Sequence, residues 1–455
     1  MFKRLWTQFR SSSRGEKIRS LIPNPVVNFF KHLPVAVSAA VWHRFPARRL
    51  EVIGVTGTDG KTTTASLIHH LLITGGQKAA LISTVTAKIG EEEIPTGLHV
   101  TSPEPWKLQR LIKKAVDQGC RYLVLEVTSH ALDQHRVWGI PFKIGILTNV
   151  SPEHLDYHPS YDHYLKTKAK LLNRAEWAIV NRDDPSFSSL KRSKGVKTIT
   201  YGIRRKGNLV GTAISLSPTL TQFTYKCMDT VERGQGTELK IKTKLLGEHN
   251  VYNSLAAIGC LQVLGLDKKT IQKGLASFQL PPGRMEFVDQ GQPFSVMIDF
   301  AHTPNALKKV LETTKTILSP SRLILIFGCA GLRDRQKRPS MGETAANMAD
   351  WTVLTAEDSR TEDVNQIIDE IAQGCLKEGA QEQEPDQFSF SGRPIFFRIP
   401  DRQEAISFAL QKLAQKGDLV LITGKGHERS MCFGAKEYPW SDKKAVEKGL
   451  ELEKQ

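Results

Sequence analysis

Short apolar, β-branched runs alternate along this chain with stretches of helical periodicity. From Leu50 onward the runs are Glu51–Thr56, Ala79–Thr84, Tyr122–Val127, Ile144–Thr148 and Ala178–Asn181. Strand-length runs separated by helix-length segments predict a parallel sheet covered by helices. Between Leu209 and Leu246 the pattern changes to polar–apolar alternation around Phe223, Tyr225, Leu239 and Ile241, which predicts a small antiparallel patch attached to that sheet. Pro281-Pro-Gly283 reads as a linker, and a second series follows: Val296–Phe300, Leu323–Phe327, Trp351–Thr355 and Leu419–Thr423. The expected organisation is an α/β domain over residues 50–283 and another over 284–455, with a cleft between them. Ligands bind such folds in clefts and at the C-terminal ends of the strands. Residues 1–49 read as a basic appendage, in which Pro23, Pro25, Pro34 and Pro46 are expected to break any long helix.

Composition narrows the class. The 455 residues, 40% hydrophobic and 24% charged, are those of an ordinary globular protein with more than one core. The net charge of +16 invites a nucleic-acid reading. Beyond the first fifty positions, however, Lys and Arg are scattered, and no aromatic-interleaved basic motif appears. No nucleic-acid partner is expected, and an acidic or phosphorylated small substrate accounts for the charge. Cys120, Cys227, Cys260, Cys329, Cys375 and Cys432 form no C-x-x-C pair, which fits a reducing compartment rather than a disulfide framework. No apolar run approaches the ~20 residues of a membrane span. The apolar stretch Leu33–Trp42 lies between basic flanks and reads either as a packing helix or as an interfacial one. Residues 1–49 are thus a candidate peripheral membrane or partner contact, on a chain expected in the cytoplasm, where ATP is available.

The chemistry begins at Val52-Ile-Gly-Val-Thr-Gly-Thr-Asp-Gly-Lys-Thr-Thr-Thr64. An apolar run, a Gly-rich turn and a helix-like segment form a phosphate loop, whose backbone N–H groups and helix N-terminus favour anions. Lys61 can reach a terminal phosphate, and the Thr62 hydroxyl suits Mg²⁺. The first glycine of the full pattern is missing, because Val55 stands there. ATP is the expected cofactor. Glu126 closes the run Leu123–Glu126, and a carboxylate at a strand tip near a phosphate loop is placed to hold Mg²⁺. The next run leads into Thr148-Asn-Val-Ser-Pro-Glu-His-Leu-Asp-Tyr-His158. Taken alone, His154 would pass for a structural residue and Lys168 for part of a solvated helix face.

Several motifs occur together and in order: Gly57-Thr-Asp-Gly-Lys-Thr-Thr63, Glu126-Val-Thr-Ser-His-Ala-Leu132, the Thr148–His158 stretch and Leu246-Gly-Glu-His-Asn-Val-Tyr-Asn253. They continue through Pro282-Gly-Arg-Met-Glu286, Asp299-Phe-Ala-His-Thr-Pro304 and Phe327-Gly-Cys-Ala-Gly-Leu-Arg-Asp-Arg-Gln-Lys-Arg-Pro339. This set resembles the Mur ligases of peptidoglycan synthesis, and its wording resembles their tripeptide-synthetase branch. The resemblance runs from about residue 50 to the C-terminus. It implies a central ATPase domain with a mostly parallel sheet and a Rossmann-like C-terminal α/β domain. It also implies an ATP- and Mg²⁺-dependent amide ligase acting on a UDP-muramoyl peptide and a diamino acid.

Carried over by position, the resemblance puts Gly57, Thr58, Asp59, Gly60, Lys61, Thr62 and Thr63 on the ATP phosphates. Thr62 and Glu126 would share one Mg²⁺, and His154 and Lys168 would serve a second, Lys168 as a carbamylated lysine. Asn250, Asn253, Arg284, Asp299 and His302 would contact the nucleotide, with Arg333 and Lys337 near its phosphates. Thr101, Ser102, Ser129, Gln134 and Arg136 match positions that hold the nucleotide-sugar peptide. Thr355-Ala-Glu-Asp-Ser-Arg-Thr-Glu-Asp363 resembles the family's Asp-Asn-Pro-Arg motif, with Glu357, Asp358 and Ser359 altered and Arg360 kept. Arginine pairs bidentately with carboxylate, which favours meso-diaminopimelate over lysine. Gly424-Lys-Gly-His-Glu428 matches the rest of that site, with Glu428 expected to pair with the distal amine.

Three departures stand out. Ala330 and Leu332 replace a glycine and an aspartate of the family stretch. The family carries an N-terminal uridine-diphosphate domain, and residues 1–49 are too few to build it with its own core, so the UDP end is expected to be held differently. Other readings are a ligase of the folate polyglutamate, cyanophycin or poly-glutamate type, or a non-catalytic partner subunit. The Glu126–Arg136 segment and Arg360 weigh against the former, and the retained Lys61, Glu126, His154 and Lys168 against the latter.

Overall fold

The computed structural model describes residues 24–84, 86–96, 102–154, 157–191, 193–227, 237–389 and 392–451. Its first sheet contains β1 (Glu51–Thr56), β2 (Ala79–Ile82), β3 (Thr86–Ile89), β4 (Glu92–Pro95), β5 (Tyr122–Glu126) and β6 (Phe142–Leu147). It continues through β7 (Ala175–Asn181), β8 (Lys197–Gly202), β9 (Leu209–Leu216), β10 (Thr221–Cys227) and β11 (Thr237–Thr243). The order is β11-β10-β9-β8-β7-β6-β1-β5-β2-β3-β4. From β2 to β9 the neighbours are parallel, and the edges β3–β4 and β10–β11 are antiparallel.

The apolar runs are continuous because helices cover both faces of the parallel centre. Ile53 and Val55 pack against Leu67, Ile68 and Leu71 of the helix Lys61–Thr74. Val52 faces the other way, onto Leu108 and Ile112 of the helix Pro105–Asp117. The antiparallel patch is no separate unit. β9 pairs in parallel with β8, so the meander extends the main sheet and buries Phe223, Tyr225 and Ile241 against Ile271 and Leu275.

The second sheet holds β12 (Glu286–Val288), β13 (Ser295–Asp299), β14 (Leu323–Phe327), β15 (Trp351–Leu354), β16 (Gln381–Glu382), β17 (Ile395–Arg398) and β18 (Leu419–Thr423). Its order is β12-β13-β18-β14-β15-β17-β16, parallel except for β12 with β13. The chain is thus α/β with mostly parallel sheets, as its apolar runs predict.

One expectation fails at the N-terminal end. Pro25 and Pro34 do not break the helix there: Asn24–Val27, a wide turn over Asn28–His32 and Leu33–Trp42 run on as one helical segment, Pro46 follows it, and Pro23 lies outside the described residues. Leu33 N–H reaches back five residues to Asn28 O, and this widening relieves the clash between the Pro34 ring and the preceding carbonyl. Ala36, Ala39 and Ala40 are buried, and Asn28 Nδ2 donates to Asp133 Oδ2 at 2.7 Å, so this segment packs onto the body.

Both sheets aim the C-terminal ends of their parallel strands at one cleft of about 2120 Å³. The two halves touch at its floor, where Asn305 Nδ2 donates to Asp59 Oδ2 at 2.7 Å.

Candidate active site

The turn after β1 is built by contacts that only glycine allows. A Cβ on Gly57 would lie 1.8 Å from Thr148 Oγ1, and one on Gly60 would lie 2.4 Å from Asn253 Oδ1. Gly60 also has a φ of 79°, a left-handed conformation that suits glycine. The tail of β6 pins the turn: Thr148 Oγ1 donates to Asp59 O at 2.6 Å, and Asp59 N–H donates to Asn149 Oδ1 at 2.9 Å. Lys61 folds back with Nζ donating to Thr58 O at 2.7 Å. Val55, at the missing-glycine position, is a buried strand residue whose carbonyl accepts from Val127 N, so nothing there requires glycine. Behind the turn, Asn253 accepts from Thr64 Oγ1 at 3.3 Å and donates to Asn250 Oδ1 at 2.9 Å.

At the tip of β5, Glu126 Oε2 accepts from Thr62 Oγ1 at 3.1 Å, from Thr84 N at 3.1 Å and from Thr84 Oγ1 at 3.3 Å. Carboxylate and hydroxyl oxygens facing each other beside a phosphate turn form a donor set that a hard divalent cation accepts. Thr84 belongs to this cluster although no sequence motif marks it; its one signal is its place just past β2.

Lys168 is not part of a solvated face. It lies on the helix Tyr161–Leu172, is 1% exposed, donates from Nζ to Gly57 O at 2.7 Å and sits 4.4 Å over the Tyr164 ring. Burial first, then the positive charge of Lys61, pushes its pKa well below the ordinary lysine value. Its helix neighbours behave ordinarily: Lys166 is exposed and paired with Asp162, and Lys170 is paired with Asp133. His154 lines the same cleft with a φ of 56° and its ring 5.0 Å from that of His130. Burial, then His130 and Lys168, hold its pKa well below the usual range, so the ring is neutral, the form that ligates metals. Glu153, which sequence reasoning passed over, bridges the two halves: Oε1 lies 3.9 Å from His154 Nε2 and 3.7 Å from His302 Nε2.

A polar cluster forms beyond β5. Thr128 caps the helix Ser129–Asp133 by accepting from Ala131 N, and Ser102 Oγ lies 3.2 Å from its hydroxyl. Arg136 donates to Ser102 O at 2.7 Å and, through Nε and Nη2, to Gln134 Oε1 at 2.9 and 2.6 Å. Ser129 is buried beside them, and Thr101 lies outside the described residues.

On the opposite wall, Asp299 accepts from Met285 N at 2.9 Å and Ala301 N at 2.8 Å, so it shapes the chain beside Arg284. The Arg284 guanidinium stacks 4.6 Å from the Phe300 ring, which also packs on His427 at 4.5 Å. His302 Nδ1 is 2.9 Å from Phe300 O, and Lys337 Nζ donates to His302 O at 2.8 Å. Arg333 lines the cleft nearby. Leu332, one of the departures, is 58% exposed at a φ of 54°, a conformation in which aspartate is better tolerated than leucine.

The far end of the cleft is organised by a residue that sequence reasoning did not single out. Lys425 is fully buried, and its Nζ donates to Asp358 Oδ1 at 2.8 Å and to Glu428 Oε2 at 2.5 Å. Glu428 therefore already has a partner inside the protein, and it shares the single charge of Lys425 with Asp358. Arg360 lines the cleft, its backbone held by Cys432 O and Gly434 N. Glu357 is buried, its Oε2 has no hydrogen-bond partner among the described residues, and burial pushes its carboxyl up to about 7. Gly424 has a φ of 106°, and a Cβ there would lie 3.0 Å from that same Glu357 oxygen.

The chain is similar to known proteins over most of its length. Residues 55–261 match the Mur ligase middle domain, and residues 283–426 match the Mur ligase, glutamate ligase domain. The chain is 37% identical over 409 residues to the UDP-N-acetylmuramoyl-L-alanyl-D-glutamate–2,6-diaminopimelate ligase of Geobacillus thermodenitrificans, covering 88% of this chain and 78% of that one. A solved structure of a ligase of that same name superposes with a TM-score of 0.59 at 30% identity, over 89% of this chain and 79% of the other. At 17% identity, a MurF ligase from Thermotoga maritima in complex with ADP shares the fold, with a TM-score of 0.65 over 92% of this chain and 84% of that one.

Proposed function

The chain belongs to the Mur ligase family, and from that premise we propose that it adds meso-diaminopimelate to UDP-N-acetylmuramoyl-L-Ala-D-Glu at the expense of ATP. In this reading residues 50–283 bind ATP and the acceptor, and residues 284–455 bind the incoming amino acid. The observation that carries it is that Lys61, Glu126, His154 and Lys168 line one end of a cleft whose other end presents Arg360.

The turn Gly57–Thr63 and Lys61 hold the ATP phosphates, while Asn250, Asn253, Arg284 and His302 orient the nucleotide. Thr62 and Glu126 would hold one Mg²⁺; His154 and a carbamylated Lys168 would hold a second. The residues fit these roles, because His154 is kept neutral and Lys168 has the depressed pKa that a carbamylating amine needs. Bound there, Mg²⁺ supplies positive charge against the oxygens of the transferred phosphoryl group.

The acceptor carboxylate, held by Ser102, Ser129, Gln134 and Arg136, attacks the terminal phosphate of ATP and becomes an acyl phosphate, releasing ADP. The free amine of diaminopimelate then attacks the carbonyl carbon, and the tetrahedral intermediate collapses to an amide and phosphate. Closing the two halves over the cleft protects the acyl phosphate from water.

Arg360 answers the distal carboxylate of diaminopimelate as a bidentate donor. Lys425 supports that role, because it pairs with both Asp358 and Glu428 and partly offsets the negative charge that would otherwise neutralise Arg360. The test is phosphate release by the purified protein given UDP-muramoyl dipeptide with meso-diaminopimelate or L-lysine. Faster release is expected with diaminopimelate. Faster release with lysine overturns the amino-acid assignment alone, and no release with either overturns the ligase reading.

A further inference from the structure

We propose that the exposed face of residues 26–49 is a docking surface for an anionic lipid bilayer. The helix Leu33–Trp42 is one-sided: Ala36, Ala39 and Ala40 are buried against the body, while Val41 and Trp42 stand out at 54% and 76% exposure. Just before it, Phe29 and Phe30 are 59% and 74% exposed, and their rings meet edge to face at 5.1 Å. Trp106, from the underlying helix, joins the patch with its ring 6.3 Å from that of Trp42. Among the described residues, six of the thirteen exposed large hydrophobic side chains fall between Val26 and Trp42. An apolar concentration of that kind needs a cover.

Charge chooses the cover. No aspartate or glutamate occurs between Glu16 and Glu51, whereas Arg44, Arg48 and Arg49 follow the apolar face and are exposed. Over residues 1–49 there are ten Lys and Arg against one acidic residue, so a tenth of the chain carries +9 of its +16. Aromatic and aliphatic side chains beside arginines, on a stretch with no carboxylate between Glu16 and Glu51, match an acyl boundary under anionic headgroups. No described helix is long and apolar enough to cross a membrane, so the segment would lie in the interface plane. It is not a loose tether, because Asn28 is hydrogen-bonded to Asp133 and Ala47 and Leu50 belong to the core of the first sheet. This inference does not depend on the ligase assignment.

The test is flotation of the full chain with phosphatidylcholine vesicles, with or without about half phosphatidylglycerol, at low and high salt. Binding is expected only with phosphatidylglycerol, and it should weaken as salt screens the arginines. The triple variant Phe29→Ser, Phe30→Ser, Trp42→Ser should lose binding, and Arg44→Glu, Arg48→Glu, Arg49→Glu should lower it at least about tenfold. Both should keep the wild-type circular dichroism and thermal unfolding. Absence of binding to the anionic vesicles, or wild-type binding by either variant, overturns the proposal. So does a concentration-dependent dimer that the aromatic variant abolishes, which would make the face a contact between copies of the chain.

Discussion

The Lys168 ammonium donates to the carbonyl of Gly57 at 2.7 Å, tying the helix after β6 to the phosphate turn after β1. A buried amine here is costly unless it serves the site, because both burial and Lys61 oppose its charge. Lys168→Ala should therefore lose nearly all ligase activity and recover part of it with added short-chain carboxylic acids, which can replace a carbamate. Lys166→Ala and Lys170→Ala, which remove only outward pairs, should stay within a few-fold of wild type. Phosphate release across the three variants checks this, and equal behaviour of all three would remove Lys168 from the site.

Among the described residues, the Lys61 side chain makes one hydrogen bond, to its own turn at Thr58. Lys61→Ala should abolish turnover, while thermal unfolding moves little, since one net hydrogen bond is worth only about 1 kcal/mol. Near-normal ligation by this variant would contradict the phosphate-loop assignment.

What could be read from the sequence follows from parallel-sheet geometry. Residues at the C-terminal ends of parallel strands gather at one edge wherever they stand in the chain, so Glu126, Asp299 and the residues after Leu147 and Leu354 could be placed together from their runs alone. Some strands escaped: Lys197–Gly202 alternates polar and apolar residues, and the apolar run of Ile395–Arg398 is short and lies between Pro394 and Pro400. Partners across long separations escaped too. Nothing local links Thr84 to Glu126, or Lys425 to Asp358 across 67 residues. Pro34 misled because a widened helical turn can absorb a proline, and no residue pattern announces that turn.

Lys425 offers a stability prediction. Its ammonium is the shared counterion of Asp358 and Glu428 in a fully buried position. Lys425→Met keeps most of the volume and strands two carboxylates. Removing one partner of a buried pair typically costs about 3–5 kcal/mol. The denaturation midpoint should fall accordingly, and in the surviving folded fraction KM for the diamino acid should rise more than KM for ATP. An unchanged midpoint would show that the three groups are not coupled.

Glu357 sets a pH dependence whose sign is fixed. Its carboxyl is raised from 4.5 to about 7 by burial, against the favourable charges of Lys337 and Lys425 and with Asp358 and Glu428 adding to the rise. Arg402, itself paired with Asp442, is a further cation that senses it. In that pH window the folded chain keeps a proton that the unfolded chain has released, so this group lowers stability as pH increases. The loss is at most about 3 kcal/mol, complete above pH ~7 and absent below pH ~4.5. Unfolding curves from pH 5 to 8 should show this slope in the wild type and a flatter one in Glu357→Gln. Parallel slopes would show that Glu357 does not titrate there.

On the proposed reading the amino-acid choice turns on Arg360. Its backbone is fixed in a left-handed conformation by two hydrogen bonds to the β19–β20 hairpin (Ser430–Phe433 and Lys436–Pro439), so the guanidinium is presented from a rigid base. The carboxylates that could cancel it are partly offset: Asp358 and Glu428 share the single charge of Lys425, and burial raises the Glu357 carboxyl to about 7, so part of it is protonated at neutral pH. On the proposed reading a guanidinium lining this cleft would attract the distal carboxylate of diaminopimelate and repel the ammonium of lysine, and a specificity of this kind needs both effects. Arg360→Ala should therefore cut kcat/KM for diaminopimelate by about 10- to 100-fold, the range of a lost charged hydrogen-bond pair. Activity with lysine should stay level or rise. Equal loss with both amino acids would mean that Arg360 holds the shared amino-acid end instead, and the preference would have to come from the Asp358–Lys425–Glu428 cluster.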